Sequence, residues 1–199
     1  MRPARALFAG MALALVVIAV LVAVTAHRDR PAALAFRGTP VEPPKAARDA
    51  VLEDADGAPA HVLRDDVAVT FLFFGYTHCP DACPLALASL GRAYRSLTPN
   101  VAARTRIVFV TVDPARDTAP VVRRYVRAFD PHIVGLTGAP GALARVWNAY
   151  GVTVDARSRE IGHGDAIYAI DRSRRVVLVY PSDASAADLA HDATAFVRS

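Results

Sequence analysis

The chain has 199 residues, a formal net charge of +4, 53% hydrophobic residues and only two cysteines. That length allows one domain with a core of ordinary size, and two cysteines four positions apart exclude a disulfide framework. The basic excess is mostly scattered arginine, with no group beyond Arg172, Arg174 and Arg175, which argues against nucleic-acid binding because that needs a concentrated basic face.

Arg2 and Arg5 precede a run, residues 7–26, that carries no charge. Its length matches the roughly 20 apolar residues that cross a bilayer. Signal peptides have a shorter apolar stretch, and Val24-Thr25-Ala26 is only an approximate cleavage site. Residues 1–26 are therefore expected to be an N-terminal transmembrane helix that anchors the chain, with a cleaved signal peptide as the alternative. Arg28 and Arg30 follow the run, so flanking charge alone does not set the orientation. Residues 27–48, which carry four prolines and little periodicity, read as a linker, and residues 49–199 as the domain.

Within the domain, Asp54-Ala55-Asp56-Gly57 is a turn signal. Residues 67–74 form a β-branched and aromatic run that fits a strand buried on both faces. From Pro84, the spacing of Leu85, Leu87, Leu90, Ala93, Tyr94 and Leu97 predicts a helix. Residues 107–112 read as a second strand, ended by Asp113-Pro114, after which Asp117 or Thr118 can cap a helix to about Phe129. A short strand at 132–136, a helix at 141–150 and a hairpin of 166–171 with 176–180 follow. Ser185 with Asp188 resembles a capping box opening a last helix to about Val197. This alternation predicts an α/β fold: a central mixed sheet, flanked by helices and ending in an antiparallel hairpin.

The chemistry concentrates at Cys79-Pro80-Asp81-Ala82-Cys83-Pro84, directly after the first long strand. Ligands of open α/β sheets gather beyond the carboxyl ends of strands. Each cysteine precedes a proline, which disfavours helical backbone and suggests a fixed loop. Such a loop, ending at a helix start, would set the thiols near N–H donors that favour thiolate. Two soft sulfurs and an imidazole suit copper. Closed zinc sites need four protein ligands, so zinc is the weaker fit. A small disulfide between the two cysteines is the bland alternative. Of six histidines, His61, His132 and His191 read as surface or hydrogen-bonded residues, and His78 should point away from its neighbour Cys79. His163 stands between two glycines just before the predicted strand at 166.

The segment from Phe74 to Pro84, Phe-Gly-Tyr-Thr-His-Cys-Pro-Asp-Ala-Cys-Pro, resembles the signature of the Sco/SenC family, thioredoxin-fold copper chaperones of cytochrome c oxidase assembly. Thr111-Val112-Asp113-Pro114-Ala115-Arg116-Asp117-Thr118, Gly135-Leu136-Thr137-Gly138 and His163 ahead of Ile167-Tyr168-Ala169-Ile170-Asp171 extend the resemblance over about residues 50–199. It implies a thioredoxin-like fold and a copper ion, Cu(I) or Cu(II), held by Cys79, Cys83 and His163. It also implies that the two cysteines can interconvert between dithiol and disulfide. The implied partners are cytochrome c oxidase subunit II, a thiol reductant and another copper chaperone. The implied place is the inner membrane, with the soluble domain on the periplasmic side. Gly162 stands where the family commonly has an acidic residue, so Asp165 or Asp113 is the candidate for a carboxylate behind the ligands. Asp113 has an equally good reading as a strand-end turn residue.

Two other functions compete with copper delivery. A thiol-disulfide oxidoreductase would use the cysteines on an exported protein; against a general one, three residues separate the pair where thioredoxins have two, and no proline occurs between Pro140 and Pro181. A redox or copper sensor would signal by protein contact alone.

Overall fold

The computed structural model describes residues 36–154, 161–162 and 165–199, and its compact unit starts at Phe36. Among the described residues no helix is long and apolar enough to cross a membrane. The expected transmembrane helix, residues 1–26, lies outside them.

A six-stranded mixed sheet forms the centre, with strand order β1-β10-β9-β4-β5-β6. β4 (Val69–Gly75), β5 (Thr105–Thr111) and β6 (Ile133–Leu136) run parallel. β9 (Ala166–Asp171), β10 (Arg175–Pro181) and β1 (Thr39–Ala46) add to β4 as an antiparallel series. Among the described residues five helices connect or close the sheet: α1 (Ala82–Ser96), α2 (Pro99–Ala103), α3 (Ala119–Arg127), α4 (Pro140–Ala149) and α5 (Ala186–Arg198). Two small hairpins complete the described elements, β2 (Val51–Glu53) with β3 (Pro59–His61) and β7 (Thr153–Val154) with β8 (Ile161–Gly162).

Alternate residues of each central strand serve opposite cores, as the two-residue side-chain period requires. Phe71, Phe73, Ile107 and Phe109 join Leu87 and Leu90 of α1, Val122 and Val126 of α3, and Leu189 of α5. Leu72, Phe74, Val108 and Val110 join Leu143 and Val146 of α4 with Leu52, Val62 and Leu63. Burial on both faces explains the unbroken apolar run of β4, whose seven residues are all buried.

The strands and helices expected from the sequence are present to within a few residues. The Ser185 cap is also present: its hydroxyl accepts a hydrogen bond from the Asp188 N–H at 3.1 Å. The Asp54 turn joins β2 to β3, with Gly57 at φ +76°, where a side chain would be strained.

Residues 39–46, expected in the linker, instead form β1. The prolines were misleading because β1 lies at the sheet edge and pairs only with β10, where a missing N–H leaves no ladder bond unmade on a second side. The pairing is irregular between Pro40 and Lys45.

The cysteine segment is also more helical than expected. α1 begins at Ala82 and contains both Cys83 and Pro84. At the third helical position the missing proline N–H would have had no intrahelical partner in any case, so the bias against helix before proline is overridden.

Candidate metal centre

β4 ends at Gly75 and delivers Tyr76, Thr77, His78 and Cys79 to the carboxyl edge of the sheet. There the Cys79 N–H closes a turn on the Tyr76 carbonyl at 3.2 Å. Asp81 precedes α1 but makes no side-chain cap. The Cys79 sulfur takes that place, accepting the N–H of Cys83 at 3.4 Å. The first turn of α1 thus aims a backbone donor at one sulfur and carries the other within it.

The two thiols are free and unlike: Cys79 is half-buried, whereas Cys83 is 3% exposed. A Cβ placed on Gly75 would lie 2.7 Å from Cys83 Sγ and 2.9 Å from Phe109 Cε2. Only glycine leaves room there for the sulfur to tuck against the sheet. Burial pushes the Cys83 thiol up, an effect opposed by a backbone hydrogen bond from Tyr76 and reinforced by Cys79 and by the charge of Asp165. The sequence reading, that the helix start would favour thiolate, is therefore opposed at Cys83, where desolvation outweighs the backbone hydrogen bond that favours the charged form.

Beneath this loop lies Asp117, fully buried. Its carboxylate accepts the Thr77 N–H at 3.0 Å, the Thr77 hydroxyl at 2.6 Å and the Thr111 hydroxyl at 2.6 Å. Its own carbonyl accepts the Thr137 hydroxyl at 2.8 Å. Asp117 is thus no helix cap; the residue before α3 is Thr118, which makes no side-chain cap bond either. The His78 ring is 58% exposed, 3.1 Å from the Thr77 hydroxyl and 4.0 Å from Asp117.

Asp113 pairs with Arg116, and its carbonyl accepts the N–H groups of Arg116 and Asp117. These are the contacts of a strand-end turn. Asp165 is exposed, immediately ahead of β9. His61, His132 and His191 are each engaged by a carboxylate, those of Asp49, Asp130 and Asp192. That agrees with their assignment as hydrogen-bonded residues.

His163 lies outside the described residues. Among the described residues no three His, Cys, Asp or Glu side chains gather as a metal cage. The antiparallel register Phe73↔Ile167 sets the start of β9 beside the carboxyl end of β4. Sequence reasoning missed Gly75 and the inward role of Asp117. Both stand inside the motifs that carried the resemblance, but neither residue type announces a buried sulfur or a buried acid.

Residues 44–198 match the SCO1/SenC family. The chain belongs to that family. A mitochondrial SCO1 homologue of Arabidopsis thaliana is 35% identical over 150 residues, which cover 70% of this chain and 42% of the relative. The bovine mitochondrial SCO2 homologue is 38% identical over 111 residues, 55% of this chain and 41% of the relative. The chain thus spans about two fifths of the length of these relatives. Among solved structures, apo Sco1 of Thermus thermophilus superposes with a TM-score of 0.71 at 34% identity, over 81% of this chain and 96% of the other. Copper-bound ScoI of Bradyrhizobium japonicum gives 0.66 at 31% identity, over 76% and 99%. The mixed sheet with its flanking helices is the fold these family members share, thioredoxin-like as the sequence resemblance implied.

Proposed function

We propose that this chain is a copper metallochaperone that holds its cargo with Cys79, Cys83 and His163 and passes it to the binuclear copper site of cytochrome c oxidase subunit II. The observation that carries the reading is the sulfur pair: Cys79 Sγ accepts the first-turn N–H of Cys83, whose own sulfur is tucked behind it against Gly75. Thiolates are soft ligands for Cu(I), and an imidazole completes a three-coordinate site. The start of β9 lies beside the end of β4, which favours the residues leading into β9, His163 among them, as the source of the third ligand. Copper is bound in the Bradyrhizobium relative, and a Stutzerimonas stutzeri relative 36% identical over 111 residues is named a putative copper-binding protein.

In this reading the residues divide the work. Gly75 and the Asp117–Thr77 bonds fix where the sulfurs stand, and the half-buried Cys79 meets the incoming ligand first. A low coordination number leaves a side open for a subunit II cysteine or histidine to enter before a chaperone ligand leaves. The disulfide form offers no thiolates, so a thiol reductant must keep the pair open. A further copper chaperone supplies the cargo. Residues 1–26 anchor the domain to the inner membrane, facing the periplasm.

The test is anaerobic Cu(I) titration of the full chain in detergent, beside Cys79→Ala and His163→Ala. One copper per chain, weakened by either substitution, supports the reading. Undiminished tight binding in His163→Ala removes the third ligand.

The unequal exposure of the two sulfurs favours one second reading, a thiol-disulfide oxidoreductase acting on subunit II. Cys79 would attack a target disulfide, and Cys83 would then displace the reduced target, closing the Cys79–Cys83 disulfide. Exchange activity that survives His163→Ala and vanishes in Cys79→Ala would select it.

A further inference from the structure

α5 ends where the parallel strands begin. A guanidinium N–H of Arg104 donates to the Val197 carbonyl at 3.3 Å, and the Arg104 carbonyl accepts the N–H of Ala68, just ahead of β4, at 2.8 Å. At the same last turn of α5 the Phe36 ring centroid lies 4.7 Å from that of Phe196. Residues 36–41, 98–105 and 193–199 thus meet at one surface. They carry Arg37, Arg104 and Arg198 and no acidic side chain, so even a terminal carboxylate at Ser199 leaves the surface positive. Asp192, one turn back in α5, is fully buried, with its carboxylate turned onto the Arg37 and Gly38 N–H groups and the Tyr180 hydroxyl. Arg37 and Arg198 are exposed and form no ion pair with a described residue. Phe36 beside them is 40% exposed, an unusual amount of aromatic surface left to water.

This surface lies at the end of the sheet opposite the sulfurs. β4 and β5 run in parallel register, Val69 beside Thr105 and Gly75 beside Thr111. Arg104 precedes the first of these pairs and Cys79 follows the last, so the seven residues of β4, about 20 Å of strand, separate them. An exposed aromatic ring beside free arginines suits a membrane interface, where the ring settles at headgroup level and each cation meets a lipid phosphate. Chain length favours that occupant over an acidic protein. The nine residues 27–35 join Phe36 to the uncharged run, and fully extended they reach only about 30 Å.

We infer that the surface formed by Phe36, Arg37, Arg104 and Arg198 docks on anionic lipid headgroups. The inference rests on the proposed anchoring by residues 1–26. Docked in this way, the domain turns Cys79 and Cys83 away from the bilayer, toward an acceptor whose copper site stands above the membrane surface.

The test uses the full chain in vesicles of phosphatidylcholine, alone or mixed with phosphatidylglycerol, with bromines on the acyl chains as fluorescence quenchers. The parent's single tryptophan, Trp147, donates to the Thr111 carbonyl at the sulfur end of β5, so it reports on the far end. Phe36→Trp adds a reporter on the docking surface. Quenching of the added tryptophan should rise in the anionic vesicles while Trp147 stays bright. Arg37→Gln with Arg198→Gln should lower the docked-to-free ratio by about fivefold for each arginine. In the unmodified chain, backbone hydrogen exchange of residues 36–41 and 193–199 should slow in anionic vesicles, with the Cys79 loop unchanged. Equal quenching and exchange in both vesicle types, from a chain that resists an alkaline wash, overturn the inference and leave the anchor intact. Quenching that survives both Gln substitutions also overturns it, since the tether alone would then bring Phe36 close. Protection at the Cys79 loop instead would reverse the orientation and overturn it. Protection given by added polyglutamate but not by anionic lipid would assign the surface to an acidic protein, and overturn it too. A chain that washes off the vesicles overturns the anchor and this inference together.

Discussion

Asp117 takes both donors of Thr77, its N–H at 3.0 Å and its hydroxyl at 2.6 Å, across a sequence separation of 40. The same carboxylate takes the Thr111 hydroxyl at the end of β5. One buried acid therefore ties the loop that presents Cys79 to the strand beside it. Charge-assisted bonds are about twice as strong as neutral ones, and here they act two residues from the first sulfur.

Asp117→Ala strands the Thr77 N–H and two hydroxyls. Unfolding free energy should fall by about 2 to 4 kcal/mol, the scale for breaking a buried hydrogen-bond network, and copper affinity should fall with it. Asp117→Asn retains the shape and part of the bonding, so its loss should be smaller. Urea unfolding followed by circular dichroism checks the order. Equal stability of the parent and the alanine variant would remove Asp117 from the support of the loop.

Gly75→Ala places a methyl group 2.7 Å from Cys83 Sγ and 2.9 Å from the Phe109 ring. Neither neighbour can retreat freely within a packed sheet. The expected loss is about 1 to 3 kcal/mol, as for other overpacked cores, together with weaker Cu(I) binding because the sulfur is displaced. Gly141→Ala is the control, since a Cβ there meets nothing within 4 Å. Binding by Gly75→Ala that matches the control would show that the sulfur has room to spare.

The sheet was legible because β4 and β5 are apolar on both faces and the helices keep their periodicity. β1 was not, since its pattern of Thr39, Pro40, Val41, Glu42 and Pro43 has no alternation. Its place comes from Asp192, distant in sequence, and from an edge that tolerates proline. At the site, the sulfurs were legible as a pair, but their inequality was not. Whether Cys83 is buried depends on a missing side chain at Gly75, a property of packing that spacing does not encode.

Burial holds the Cys83 thiol above the ordinary cysteine range. At neutral pH the metal-free protein therefore keeps this proton, and copper must displace it. Because the proton competes with the metal, apparent affinity should rise with pH through neutrality, by at most about tenfold per pH unit for one proton. Calorimetric titrations in buffers of different ionisation enthalpy should show proton release on loading. An affinity independent of pH between 6 and 8 would mean that Cys83 is ionised beforehand or is not a ligand.

Asp192 does for the start of the domain what Asp117 does for the loop. It is fully buried in α5. Its carboxylate accepts the N–H groups of Arg37 and Gly38, each within 3.0 Å, and the Tyr180 hydroxyl at 2.7 Å. The His191 ring nitrogen lies 2.8 Å from the same carboxylate. One side chain therefore joins the residues before β1 to β10 and to the last helix, and the Phe36 ring closes the join on Phe196 at 4.7 Å. Asp192→Ala should release β1 before the rest of the sheet unfolds, because β1 pairs only with β10 and at an irregular register. Limited proteolysis should then cut within residues 36–46 at protease levels that leave the parent intact, while global stability falls by about 2 to 4 kcal/mol. Resistance equal to the parent's would show that β1 is held by its ladder alone. The same variant should bind copper normally if it folds, since the carboxylate of Asp192 bonds to Arg37, Gly38, Tyr180 and His191 and to no residue of the loop that carries Cys79.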